Sequence, residues 1–212
     1  VFTSIAGFFT AKFKMHPFIS TMANMLVIFG LVTYATKGVS FGSIEATIPN
    51  MIIPKVNGFP TIILWALAAI IIVWFIWNKT TFGKNMFAVG SNPEAANVSG
   101  VNVMRTTILV HTLAGCMYGI TGFIESARIG SNQANTGLNY ECDAIAACVI
   151  GGVSFVGGTG KISGIVLGVF ILRIIFVALQ FLSINQSMQY IIKGLIILVA
   201  CSIDMRKYLV RK

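Results

Sequence analysis

Residues 157–163 read GGTGKIS and come near the pattern of a phosphate-cradling loop. That chemistry needs Gly-Lys followed directly by Ser or Thr, and a Gly five residues before the second Gly. Ile162 follows Lys161, and Phe155 stands at the earlier Gly position, so no ATP-hydrolysing site of the chain's own is expected. Cys116, Cys142, Cys148 and Cys201 contain no C-x-x-C pair, and only two histidines accompany them, so no metal site is expected. No Ser/His or His/Asp arrangement suggests catalysis, and the chain does not read as an enzyme. His111 is a lone polar residue in an apolar block and is expected to be packed and hydrogen-bonded.

Other residues carry binding or positioning chemistry. The polar stretch 78–105 contains Pro93-Glu94-Ala95-Ala96 and then Gly100. Pro93 suits a first helical turn, Ser91 or Asn92 can cap it, and Glu94 complements its positive end. Gly100 can close it in a left-handed conformation. A short capped helix follows. Asp143, after Glu141, stands at the start of an apolar segment, where it can cap a helix or accept hydrogen bonds from a polyol. The preceding loop holds Asn132, Gln133, Asn135 and Asn139, whose neutral amides donate and accept, as uncharged polyols require. A solvated loop is the alternative. Arg173 and Lys193 fall within apolar segments, where cations are costly and functional by default. Lys193 is expected to snorkel outward and Arg173 to find a carbonyl or carboxylate. Trp74 and Trp77, before Lys79, suit an aromatic belt. Trp65 can contact lipid or stack on a sugar.

The elements that position these residues are membrane spans. Apolar residues make up 56% of the 212, with 21 Gly, and charged residues only 10%, against about 25% in globular chains. Neither a soluble domain nor a disordered chain has that composition. Residues 15–36, 56–78, 106–124 and 174–192 carry no Asp, Glu, Lys or Arg. Each is near the 20 or so residues that cross a hydrocarbon core of about 30 Å. The polar run 181–187 (FLSINQS) breaks the last gap. An all-α polytopic helix bundle is predicted, with about six crossings near 17–36, 60–77, 106–124, 142–156, 162–180 and 188–204. Residues 1–9 read as the end of another.

Alternate loops then place Lys12, Lys14, Lys79, Lys84, Arg105, Lys161, Arg206, Lys207, Arg211 and Lys212 on the cytoplasmic side. Lys37, Lys55 and Arg128 fall outside. The net charge of +9 thus reads as positive-inside orientation rather than a nucleic-acid footprint. The parity requires 142–156 to cross, although its helical part is short and the rest is glycine-rich. Gly151, Gly152, Gly157 and Gly158 admit two readings, a broken helix lining a transport path and close helix packing by small residues.

Glu-Ala-Ala, three residues, then Gly resembles the cytoplasmic loop motif of permease subunits of ATP-binding cassette (ABC) importers. The resemblance extends across nearly the whole chain. Residues 82–103, residues 126–160 and the ending Gln189-Tyr190-Ile191-Ile192-Lys193-Gly194 are similar to sugar permeases of the ribose/galactose type. Met188 and Cys142 depart from the common pattern.

The resemblance implies a single permease domain over 1–212 in the bacterial cytoplasmic membrane. It implies a coupling loop at 78–105, in which Pro93, Glu94, Ala95, Ala96 and Gly100 dock on a cytoplasmic ATPase. It also implies a periplasmic or extracellular sugar-binding protein, a permease homodimer, and a monosaccharide substrate, galactose or methyl-galactoside. ATP would be used by the partner, with no cofactor bound directly. Members have about ten helices, so the first three and part of the fourth are expected to be missing. Ribose, nucleoside or branched-chain amino-acid transport is the alternative within the class. An ion-coupled secondary transporter is disfavoured by the lack of carboxylates inside the assigned helices.

Overall fold

The computed structural model describes residues 1–40, 49, 52–56 and 59–209, without the side chains of 55, 56, 59 and 207–209. Arg211 and Lys212, and the side chains of Lys55 and Lys207, therefore lie outside the described residues. The described elements are helical except for a two-residue antiparallel pairing of Lys55–Val56 (β1) with Phe59–Pro60 (β2).

The first unit comprises 1–89 and 93–136. Helix α1 (Phe2–Phe13) is followed by α2 (Pro17–Thr36), which begins on a proline whose missing N–H costs nothing at a first turn. Helix α3 (Ile62–Lys79) hands over to α4 (Thr81–Ser91) through Thr80. The Thr80 hydroxyl donates to the Ile76 carbonyl at 2.5 Å and accepts from the Gly83 N–H at 3.1 Å. Helix α5 (Pro93–Val98) leads to α6 (Val103–Ile129), capped by Asn102, whose side-chain oxygen accepts from the Arg105 N–H at 2.8 Å.

Helices α1 and α6 pack closely because small residues let them approach. Gly7 faces His111, Gly115 faces Thr3, and the hydroxyls of Ser4 and Thr112 lie 2.9 Å apart. His111 Nδ1 lies 2.9 Å from the Thr107 carbonyl, so this histidine is packed and hydrogen-bonded as expected.

The second unit comprises 90–92 and 137–212. It holds α7 (Tyr140–Ile150), α8 (Ile162–Phe181) and α9 (Gln186–Leu209). Its core is Ala146 and Ala147 of α7 against Leu172 of α8, flanked by Ile150, Phe176, Ile196 and Ile197. Small residues are what is buried, whereas large ones such as Leu64, Ile71, Phe170 and Ile174 face outward. Helix contacts inside a bilayer favour that distribution.

Helices α2, α3, α6, α8 and α9 are long and apolar enough to cross a membrane. The predicted bounds 17–36 and 162–180 match α2 and α8 to within a residue. The segment 142–156 differs. Only Tyr140–Ile150 is helical, 11 residues, which at 1.5 Å per residue is about 16 Å, half a hydrocarbon core. It is the short, glycine-broken helix of the sequence pattern, without the length of a full span. Helix α6 outruns its apolar stretch at both ends, and α4 replaces polar loop by helix.

Candidate functional site

Helix α5 is built as its residues dictate. Pro93 opens it and Glu94 lies in its first turn. Beyond it Gly100 takes φ +85°, a conformation costly for any residue with a Cβ. The Val101 N–H bonds back to the Ala96 carbonyl at 3.0 Å, closing the turn. Ala96 is buried, while Pro93, Glu94, Ala95, Asn97 and Val98 are exposed. A cleft of about 390 Å³ opens beside Gly100, lined by Thr81, Asn85, Ser99, Asn102, Arg105 and Thr106 among others. The result is a raised, six-residue helix beside a polar cleft. Ser91 does not cap it, because its hydroxyl is directed to the Gly158 carbonyl at 3.5 Å.

In the second unit, Asp143 stands in the first turn of α7, where a carboxylate is favoured. Its carboxylate also pairs with Lys193 Nζ of α9 at 2.5 Å. Lys193 therefore does not snorkel. It is covered to 14% side-chain exposure, with the rings of Phe176 and Tyr190 at 5.1 and 5.6 Å from the ammonium. An anion within reach and two aromatic faces outweigh extension outward.

The glycine-rich loop after α7 is held from α9. Asp204 accepts from the Phe155 N–H at 2.9 Å and the Ser154 hydroxyl at 3.1 Å. The Ser154 N–H bonds to the Thr159 carbonyl, and the Gly157 N–H to the Ser154 carbonyl. Gly151 lies against the backbone of Gly164, and Gly157 and Gly158 lie against Gly90 and Ser91. Close backbone packing is what these three glycines do here, while Gly152 faces open space.

The remaining predicted residues fall in different units. Asn135 is exposed and belongs to the first unit, whereas Asp143 and the four glycines belong to the second. Arg173 lies on the exposed face of α8 and makes no polar contact with a described residue, so the expected carbonyl or carboxylate partner is not found within the described chain. Trp65 donates its indole N–H to the Ile52 carbonyl at 3.1 Å. The Lys79 ammonium lies 5.7 Å from the Trp74 ring.

Asp204 was invisible to sequence reasoning. The one available signal was that it is the last acid of the chain, in an apolar helix whose other charged residues are basic. Its partners lie 50 and 49 residues away.

The profile of the family described as "Branched-chain amino acid transport system / permease component" matches residues 1–201. The galactose/methyl galactoside import permease of Treponema pallidum is 46% identical over all of this chain and 41% of its own length. That of Escherichia coli is 43% identical over 98% of the chain and 64% of its own length. The ribose import permease of Bacillus subtilis is 35% identical over 95% of the chain and 63% of its own length. The chain thus spans between two fifths and two thirds of these relatives. No solved structure matches it. A profile match across 201 residues, on five helices suited to a bilayer, establishes that the chain belongs to this permease family and is a multi-pass protein of the bacterial inner membrane.

Proposed function

We propose that this chain is the membrane-spanning part of an ATP-binding cassette importer permease that moves a monosaccharide, galactose or a methyl-galactoside, into the cell. The observation that carries the reading is α5. It is a short helix exposed everywhere except at Ala96, with Glu94 in its first turn and a left-handed Gly100 behind it. Its chain is 43–46% identical to permeases named for galactose import. On this reading the segment 78–105 faces the cytoplasm, and α5 docks on a partner ATPase through Pro93, Glu94, Ala95 and Gly100. A sugar-binding protein delivers substrate at the other face, and two permease copies form the path. The chain supplies no covalent chemistry. ATP acts by binding one global conformation more tightly than another, and α5 is the contact that senses the difference.

The test is reconstitution of the permease with its ATPase and binding protein in proteoliposomes. Glu94→Gln and Gly100→Val are expected to cut ATP-driven galactose uptake about tenfold or more, a loss of at least 1.4 kcal/mol of coupling, with normal insertion. Wild-type uptake and ATPase stimulation in both variants would refute the docking role. Competition by ribose, L-arabinose and leucine at equal concentration decides the substrate, and galactose is expected to prevail.

A further inference from the structure

We infer that Asp204 is a positioning residue for the coupling segment, acting through the glycine-rich loop that follows α7. The inference rests on the coupling role proposed for α5. Asp204, nearly five turns of α9 beyond the polar break at 181–187, has no basic partner among the described residues. Instead its carboxylate Oδ2 takes two donors of the loop, the Phe155 N–H at 2.9 Å and the Ser154 hydroxyl at 3.1 Å. Ser154 is itself buried and passes the constraint on, since its Oγ also accepts from the Val156 N–H at 3.2 Å and its carbonyl from the Gly157 N–H at 3.2 Å. The loop is thereby fixed in position over 154–157.

What that fixed loop touches is the end of α4. Three residues there have no room for a side-chain carbon. A Cβ on Gly90 would lie 2.8 Å from the Gly158 nitrogen, one on Gly157 2.7 Å from the Gly90 carbonyl, and one on Gly158 would overlap the Ser91 hydroxyl. Backbone meets backbone, so a shift of the loop must move residues 90–92. Those residues run without a break into Pro93 and Glu94. Asp204 thus holds the residues that lead into the coupling helix, from a position far along the chain. The requirement is for an acceptor rather than a charge, because both donors are neutral and an amide oxygen can accept from both.

Three variants test this in the reconstituted permease: Asp204→Ala, Asp204→Asn and Gly90→Ala. Hydrogen–deuterium exchange of peptides covering 85–100 reads the linkage without the ATPase, and ATP hydrolysed per sugar imported reads its consequence. Asp204→Ala and Gly90→Ala are expected to speed exchange at 85–92 about tenfold. They are also expected to raise ATP consumed per sugar severalfold, with the KM for uptake unchanged. Asp204→Asn is expected to behave as wild type in both. Protection across Ile162–Phe181 must persist, and if Asp204→Ala loses it, Ser154→Ala, which removes one hydroxyl, carries the same test. Unchanged exchange at 85–92 in a folded Asp204→Ala protein overturns the inference, as does an Asn variant as impaired as the Ala variant. If Glu94→Gln couples normally while the exchange pattern holds, the docking role of α5 falls and the seat made by Asp204 stands.

Discussion

Replacing Asp143 by Asn strands a cation that the fold has almost covered. Lys193 keeps 14% of its side chain exposed and Asp143 35%, with their charged atoms 2.5 Å apart. Two unit charges at that separation attract by about 7 kcal/mol at an effective dielectric of about 20, and by about 2 kcal/mol at that of water. A third of Asp143 remains exposed, so screening draws the value towards the lower figure. Desolvation of Lys193 offsets part of what is left. A coupling energy of about 2 kcal/mol is expected.

The two single changes are unequal. Asp143→Asn leaves the deeper charge unpaired and costs about 3 kcal/mol. The rings of Phe176 and Tyr190 return about 1 kcal/mol at most of that stabilisation. Lys193→Met leaves a carboxylate that still reaches its surroundings and sits at a helix N-terminus, so it costs about half as much. The double variant costs no more than Asp143→Asn alone. Reversible unfolding of the permease in mixed micelles, measured for all four proteins, gives the cycle. A coupling energy below about 0.5 kcal/mol, the range of independent sites, would refute the pairing and with it the account of why Lys193 tolerates burial.

Two further changes probe the packing. Gly168→Ala places a methyl against the Ala147 carbonyl and 2.8 Å from the Gly151 nitrogen. It should destabilise by about 1–3 kcal/mol, while Gly194→Ala, with nothing within 4 Å, should be neutral in the same unfolding assay. Thr80→Ala removes the hydroxyl that bridges Ile76 and Gly83, and should cost about 1 kcal/mol and speed amide exchange in the first turn of α4. Thr80→Ser should restore both.

The long spans were legible because charge is scarce. An uncharged gap fixes α2, and an apolar run around the single charge of Arg173 fixes α8, each to within a residue, and Pro17 and the break at 181–187 mark ends that sterics and polarity enforce. Helix α5 was legible because Pro93, Glu94 and Gly100 each favour one terminal position. Helix α4 was not, because its apolar stripe of Phe82, Met86 and Val89 is only eleven residues long and lies in a polar stretch, where a search for uncharged spans passes over it. Helix α6 runs past its apolar stretch because Glu125 and Arg128 pair at i,i+3 on its last turn, which a search for uncharged residues counts as an end. The pairs Asp143–Lys193 and Ser154–Asp204 had no local signal at all. They are made by the docking of α9 on α7, and only the folded chain brings their members together.

That docking also explains how so short a helix can be stable. Helix α7 has 11 residues and so leaves orphan N–H groups at one end and orphan carbonyls at the other. In a medium that supplies no water, those groups need partners from the protein. At its start the acids Glu141 and Asp143 complement the exposed N–H groups, and Lys193 neutralises the second acid. At its end the N–H groups of Gly151, Gly152 and Val153 return to the carbonyls of Ala147, Val149 and Cys148, the Ser154 N–H goes to the Thr159 carbonyl, and Asp204 takes the donor after that, at Phe155. One helix, α9, thus contacts both the first turn of α7 and the loop that closes its last turn. Gly168 and Gly164 of α8 let the α7 backbone come close enough for this to happen. A full-length span would satisfy its own backbone, but it would carry the chain past the point where Gly157 and Gly158 meet Gly90. The short helix and its glycine loop are therefore one device, whose first turn and loop are held by α9 and whose exit is set against the residues that lead into α5.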